Sequence, residues 1–288
     1  LKNVLALGSA ACNIVDSLKK YDTYKIYKIQ NNETENKKQE YTIPDMSSPE
    51  EYEDLDVLKE IKFLKQIKDE VTFFVCGASR SSAMALRILE SIHKRGVRIK
   101  VVYFQPEIDF LSDEQALQER AVKGILQQYA RSGLFDDILL VSNKVLESFV
   151  GSINVLDYYK QINEVFCDSY HMLEVFKNTK PVMSTFSRIR ESCRVKTMGV
   201  STISCEDRLF FPFKQEVEVL YYFGINEEKL KTEGNFFKSL TTSVRSRMSG
   251  ETKAYFGIYP TEYESDYIYV EYFSPKIQET TFDTESIK

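Results

Sequence analysis

A β-type apolar run that ends in glycine and passes straight into a helical pattern occurs twice in this chain, and that repeat restricts the fold more than any other feature. Lys2 to Gly8 (KNVLALG) leads into Ser-Ala-Ala-Cys-Asn and then into Ile14, Val15 and Leu18 on one helical face. Val71 to Cys76 (VTFFVC) has the continuous apolar character of a strand buried on both sides. It reaches Gly77 and enters a helix predicted over Ser82 to Lys94, with Met84, Leu86, Ile88, Leu89 and Ile92 apolar and Gly96 beyond its end. A strand that turns directly into a helix is not half of a hairpin; the helix crosses over and the next strand runs parallel.

The remaining segments continue the alternation. A strand is predicted at Tyr24 to Ile29, followed by a solvated loop over Gln30 to Glu40. Arg98 to Phe104 (RIKVVYF) is the next strand, then a helix over Ser112 to Arg131 with Ser112 and Gln115 in capping-box spacing, then a strand at Asp137 to Val141 (DILLV). Such an order gives a parallel sheet covered on both faces, with ligands taken at the carboxyl ends of the strands. The loops at 8–13, 77–82 and 142–143 all emerge there.

A helix of about six turns is predicted from Val155 to Lys177, with Tyr159, Ile162, Phe166, Tyr170, Leu173 and Phe176 at helical spacing. After Pro181 the pattern becomes β-rich: Glu216 to Phe223 (EVEVLYYF), Lys253 to Tyr259 (KAYFGIY) and Tyr267 to Phe273 (YIYVEYF), with a helix around Phe236 to Met248. The expected organisation is an α/β domain over 1–150, a bridging helix over 151–178, a smaller α+β domain over 179–274 and a flexible tail over 275–288. For the tail, a partner-binding peptide and a plain disordered end both stand open. A chain of 288 residues is long enough for this division.

Composition closes off other classes. With 43% hydrophobic and 28% charged residues, the chain is neither disordered nor of low complexity. Lys+Arg 38 against Asp+Glu 43 leaves no basic field for phosphate backbones, so no nucleic-acid partner is expected. The five cysteines (Cys12, Cys76, Cys167, Cys193 and Cys205) have no CxxC spacing and read as reduced, packed thiols of a cytoplasmic protein. Only His93 and His171 supply imidazole, so a metal site built on histidine is not expected. No apolar run reaches the roughly 18 residues of a membrane span, and Leu1 to Gly8 lacks a signal-peptide layout. The chain opens on Leu1, which predicts that an initiator Met or short leader precedes it.

The order of these pieces resembles the tubulin/FtsZ superfamily over roughly Lys2 to Phe273. GSAACN is similar to the family's first glycine-rich loop, and Ser142-Asn143 in DDILLVSNKVL is similar to the strand end that lies beside the ribose. LDYYKQINEVF resembles the family segment in which an aromatic ring stacks on guanine and a polar residue one turn later reads the base edge; Tyr159 and Asn163 take those places. The resemblance implies a parallel-sheet nucleotide-type domain, a long central helix and a smaller α+β second domain. It also implies GTP or GDP as ligand, Mg only where nucleotide binds, and head-to-tail self-association. The competing architecture is an unrelated doubly wound enzyme domain with an appended β-rich domain.

Under that resemblance the candidate nucleotide-contacting residues are Ser9, Ala10, Asn13, Gly77, Ser79, Arg80, Ser81, Ser82, Asn143, Tyr159 and Asn163. The family's glycine-rich phosphate loop looks like GASRSSA here, with Gly77 alone kept as glycine, although close approach of backbone N–H groups to phosphate depends on missing Cβ atoms. Two readings of Arg80 stand: a bidentate phosphate ligand, or a side chain that fills the phosphate position while the serines cap the following helix. The stretch from Asp45 to Glu60 holds seven acids against Lys59 alone; it reads as a solvated helix start or as a charge barrier to a triphosphate. The family's catalytic loop after the long helix looks like NTKPVMSTFSRI, 178–189, and contains no Asp or Glu, with Glu191 just beyond. Hydrolysis is therefore expected to be lost or weak, leaving an assembly or interaction protein with a degenerate GTP site, or alternatively a weak polymerising GTPase.

Overall fold

The computed structural model describes residues 1–32, 38–54, 56–151, 154, 156–248 and 250–279. Its first half is the expected parallel sheet. Strands β1 (Lys2–Leu7), β2 (Tyr24–Gln30), β3 (Glu40–Thr42), β4 (Glu70–Cys76), β5 (Arg98–Gln105) and β6 (Asp137–Ser142) lie in the order β3-β2-β1-β4-β5-β6, every pair parallel. The helices α1 (Ser9–Asp16), α4 (Ala85–His93) and α5 (Asp113–Arg131) supply the crossovers, with α2 (Pro49–Glu53) and α3 (Val57–Glu60) in the longer connection before β4.

Local chemistry accounts for the element ends. Gly8, at φ 85, makes the turn from β1 into α1 in the left-handed region that glycine occupies without a Cβ clash. Gly96, at φ 74, closes the helix before β5. The Ser112 hydroxyl accepts the Gln115 N–H at 3.3 Å while the Ser112 N–H donates to Gln115 Oε1 at 3.1 Å, the reciprocal cap that the spacing predicted.

Strand residues divide between the two faces with period two. Leu5, Leu7, Val71, Phe73, Val75, Val101 and Tyr103 pack under α4 and α5. Val4, Ala6, Phe74, Cys76, Val102 and Phe104 pack against α1 and α7 (Tyr158–Lys177). The long helix is thus present, starting at Tyr158; the first predicted residue, Val155, lies outside the described residues. At 1.5 Å per residue it is about 30 Å long.

The sheet does not stop at β6. Strand β8 (Val195–Val200), which the sequence reading passed over, pairs parallel with β6 through Ile138↔Val195 and Leu139↔Lys196. It then pairs antiparallel with β12 (Tyr267–Ser274), which is followed by β10 (Glu218–Asn226), β11 (Lys253–Thr261) and the two-residue β7 (Met183–Ser184). The short β9 (Arg208–Leu209) flanks β8. Helices α6 (Asn143–Glu147), α8 (Glu227–Thr232) and α9 (Phe236–Ser246) complete the set, and Leu240 and Val244 of α9 cover β10 and β11.

One expectation is corrected. The tail predicted over 275–288 is not free at its start: Gln278 is 4% exposed, its N–H donates to Gln127 Oε1 at 2.7 Å and its carbonyl accepts from Gln127 Nε2 at 3.2 Å. The segment carries no apolar periodicity because main-chain and amide hydrogen bonds hold it, and these leave no hydropathy signature. Residues 280–288 lie outside the described residues.

Candidate functional site

The loops at the carboxyl ends of β1 and β4 meet. A Cβ on residue 8 would lie 3.3 Å from Ser81 Oγ and 3.5 Å from Ser79 Oγ, so the two turns touch through a glycine and a pair of hydroxyls. After Gly77 the chain forms a 3-10 turn over Arg80–Met84 before α4, in place of the directly entered helix that the sequence predicted. Ser81 and Ser82 are buried within it. Ser82 Oγ lies 2.9 Å from the Gly77 carbonyl and 2.6 Å from the Ser79 carbonyl, and the Ser79 and Ser81 hydroxyls are 3.2 Å apart. The turn is therefore largely satisfied by its own hydroxyls. Arg80 is exposed, and among the described residues no partner engages its guanidinium.

Sequence reading missed what lies beneath this turn. A Cβ on residue 77 would fall 1.8 Å from the Tyr103 hydroxyl oxygen, which fills the space a side chain needs. Tyr103 is fully buried; its hydroxyl donates to Glu119 Oε1 at 3.0 Å, and burial together with that carboxylate pushes its pKa well above the ordinary phenol value. Gln118 Nε2 reaches Ser82 Oγ at 3.4 Å, and Lys123 pairs with Glu119 at 3.3 Å. The available signal was Glu119, Lys123 and Gln127 at a four-residue spacing, a polar stripe on a helix that also buries Leu126 and Ala130.

The acidic stretch begins a helix whose first-turn acids are solvated and whose other side is packed. Helix α2 packs against the 3-10 turn, anchored by Tyr52, which is buried and whose hydroxyl accepts from Asn31 Nδ2 at 3.0 Å and from the Met46 N–H at 3.1 Å. Glu50 and Glu51 remain exposed in its first turn.

The other candidates stand on α1, β6 and α7. Ser9, Ala10 and Asn13 share the face of α1 opposite the buried Ala11, Cys12, Ile14 and Val15. Asn143 opens α6 directly after β6, and Tyr159 and Asn163 lie one turn apart on α7. Helix α7 packs against α1 and α6, with Cys167 Sγ 3.2 Å from the Ile14 carbonyl. Tyr159 is 73% exposed, its ring edge-on to Tyr158 at 5.1 Å. The side chains of Asn13, Asn143 and Asn163 make no hydrogen bond to another described residue. The structure thus brings together Gly77 and the four residues 79–82; no hydrogen bond ties the α1, α6 and α7 candidates to that turn.

At the far end of α7 the chemistry is different. A cavity of about 390 Å³ at the amino ends of the parallel strands holds Lys2, Lys100, Lys177 and Lys196 among Glu70, Asp137, Glu174 and Glu271. Lys177 pairs with Glu271 at 2.6 Å and with Glu174 at 3.5 Å; Lys196 pairs with Asp137 at 2.8 Å and with Glu271 at 3.5 Å; Lys2 pairs with Glu174. Burial raises the Glu174 carboxyl, but Lys177, Lys2 and Lys196 outweigh it and bring the group down to about 2. Just beyond α7, the Val182 N–H donates to the Ile258 carbonyl and the Thr185 N–H to the Phe256 carbonyl, which fastens 182–185 along β11. Val182 is 65% exposed and Met183 45%.

Among the described residues no group of His, Cys, Asp and Glu forms a metal site, and no helix is long and apolar enough to cross a membrane. All five cysteines are buried and free, and burial pushes the Cys12 and Cys76 thiols up to about 12.

No protein-family model matches the sequence, and no curated protein matches it. Solved structures do. The chain is similar to a GTPγS-form protofilament of TubZ from Bacillus thuringiensis serovar israelensis, with TM-score 0.71 and 10% identity over 95% of this chain and 86% of that one. It is similar to the GTPγS-bound protofilament of CetZ2 from Haloferax volcanii, with TM-score 0.70 and 12% identity over 95% and 92%. A third match is the empty FtsZ dimer of M. jannaschii, with TM-score 0.67 and 14% identity over 95% and 88%. The chain has the tubulin/FtsZ fold.

Proposed function

We propose that the protein is a divergent tubulin/FtsZ-like assembly protein of the cytoplasm, whose copies associate head-to-tail around a degenerate GTP site. One observation carries the reading: exposed apolar residues stand at or beyond both ends of α7, a helix about 30 Å long. At its amino end Leu156 and Tyr159 are 95% and 73% exposed; at its carboxyl end the fastened segment presents Val182 and Met183. A contact between two different patches of one chain propagates rather than closes. The neighbours in the structural comparison that are filaments and protofilaments, TubZ and CetZ2, support this order of assembly.

On this reading GTP or GDP lies at the strand ends. The phosphates face Gly77, Ser79, Ser81, Ser82 and Arg80, the ribose lies by Asn143, and the base rests on Tyr159 with its edge at Asn163; Ser9, Ala10 and Asn13 border the phosphates from α1. Arg80, exposed and without a partner among the described residues, is the group best placed to offset the acids of α2. Segment 178–189, which a neighbour receives at its crevice, brings no carboxylate to position water, so turnover is weak or absent.

The test is sedimentation and electron microscopy of the purified chain with GTP, with GDP and without nucleotide, beside the variant Val182→Glu. Filaments from the wild type and none from the variant, at unchanged nucleotide affinity, are expected. A wild-type protein that stays monomeric at every concentration refutes the proposal.

A further inference from the structure

The polar stripe on α5 has a receptor at each end. At one end Glu119 accepts the hydroxyl of Tyr103, which sits in van der Waals contact beneath Gly77, and Gln118 reaches Ser82 of the same turn. At the other end Gln127, fully buried, holds both the N–H and the carbonyl of Gln278 through its side-chain amide. Lys123 stands between them, 7% exposed and paired with Glu119 at 3.3 Å. Glu119 and Gln127 are eight residues apart, about 12 Å along the helix.

Residues 277–279 are not merely laid on the surface. Gln278 Oε1 accepts the Lys214 N–H at 2.8 Å, and its Nε2 donates to the Lys214 carbonyl at 3.0 Å, so one side chain closes a two-way amide pair with the backbone before β10 while its own backbone closes another with Gln127. Burying two glutamine amides is costly unless they find partners, and here the amide nitrogen and the amide oxygen of each one do. Ile277, Gln278 and Glu279 border a groove of about 610 Å³ along α5 that reaches Ile108, in the loop at the carboxyl end of β5.

We infer that the segment 275–279 is a strap that sets the shape of the 77–84 turn through the Gln127, Lys123, Glu119 and Tyr103 stripe, so that strap docking and phosphate binding are thermodynamically coupled. The inference rests on the nucleotide reading given above only for its second half. The buried Tyr103–Glu119–Lys123 contacts and the Gln127–Gln278 clasp stand one turn apart on the same face of α5, so they share one rigid helix, and loss of the clasp frees Gln127 to re-pair along α5 and shift the helix that supports Tyr103. Coupling is reciprocal: nucleotide that orders the turn also tightens the strap.

Hydrogen exchange on the full-length chain without nucleotide tests the first half. Gln278→Ala is expected to speed exchange at 276–279 and also at 79–84, with α9 unchanged as the reference. Tyr103→Phe is nearly isosteric and removes only the hydroxyl; in that background the 79–84 exchange is expected to become indifferent to Gln278→Ala. Titration with a fluorescent GTP analogue tests the second half: Gln278→Ala and Gln127→Ala each weaken binding about fivefold, and the double variant is no weaker than either. Unchanged exchange at 79–84 when 276–279 has been freed overturns the inference. If the exchange link holds while the wild type binds no nucleotide, the coupling stands and the nucleotide reading falls.

Discussion

Glu174→Gln is the substitution whose effect the structure sizes most directly. Glu174 sits in the last turn of α7, with a side chain 16% exposed, and receives Lys2 of β1 and Lys177 of its own helix. Its carboxyl, raised by burial and lowered further by Lys177, Lys2 and Lys196, titrates at about 2 against an ordinary 4.5. Each pKa unit corresponds to about 1.4 kcal/mol, so the ionised group contributes about 3 kcal/mol to folding. Because the folded pKa is depressed, that contribution is fully present above the unfolded pKa, near 4.5, and is lost as pH falls toward 2. Urea unfolding at pH 7 is expected to show the variant about 3 kcal/mol less stable than wild type; at pH 3 the gap narrows to less than about half, because the wild type has begun to lose the same interaction. Glu271 shares Lys177, so removing both carboxylates is expected to cost less than the sum of the single losses. A gap that stays constant between pH 7 and pH 3 refutes the assignment of the stabilisation to the ionised Glu174.

Further outcomes follow from other parts of the molecule. Gly77→Ala drives a methyl group to 1.8 Å from the Tyr103 hydroxyl and is expected to destabilise by about 1–3 kcal/mol, with slower re-formation of the turn seen as faster exchange at 79–84. Tyr159→Ala and Asn163→Ala are expected to abolish guanine-selective binding in a nucleotide titration; Tyr159→Ala, at a residue 73% exposed, leaves the unfolding free energy within about 0.5 kcal/mol. Gly199→Ala places a Cβ 2.2 Å from the Arg208 carbonyl, a backbone atom that has no rotamer to retreat into, and is expected to lower the melting temperature more than Gly77→Ala.

The parallel half of the fold was legible because two of its strands are apolar runs that end in glycine and enter a helix: KNVLALG and VTFFVCG announce both the strand and the turn. β8 was not, because VKTMGV buries Lys196 and Thr197 in its middle, and the ion pair with Asp137 and the Thr197 hydrogen bond to the Leu140 carbonyl make those positions acceptable only once the sheet exists. The same limit applies to the candidate site. That the loop at 77–82 follows a strand end beside the first loop was legible from the strand order, whereas Tyr103 reads from the sequence as an ordinary strand aromatic and Glu119 as an ordinary helix acid. Their role arises from a non-local contact that no spacing within either segment encodes. In the docked tail, Gln278 acts through its backbone and amide, which a hydropathy pattern does not register.

The internal satisfaction of the 77–84 turn bears on what nucleotide can do for assembly. A phosphate arriving there competes with hydrogen bonds that Ser82 already makes to Gly77 and Ser79, and displaces a Ser79–Ser81 hydroxyl pair, so its net gain is the difference between two polar arrangements. The gain left to it comes chiefly from Arg80, which has no competing partner among the described residues. If nucleotide binds by this route and the neighbour's 178–189 segment supplies no carboxylate, the bound triphosphate is converted slowly or not at all within the polymer. Filaments assembled with GTP and with GTPγS are then expected to have the same lifetime after dilution, measured by light scattering, and Arg80→Ala is expected to weaken nucleotide binding at least tenfold, about the loss of one charge-assisted contact, without shortening that lifetime. A GTP polymer that disassembles faster than its GTPγS counterpart, with phosphate released in step, shows that a water-positioning group exists elsewhere in the contact and refutes the degenerate-site reading while leaving the assembly reading intact.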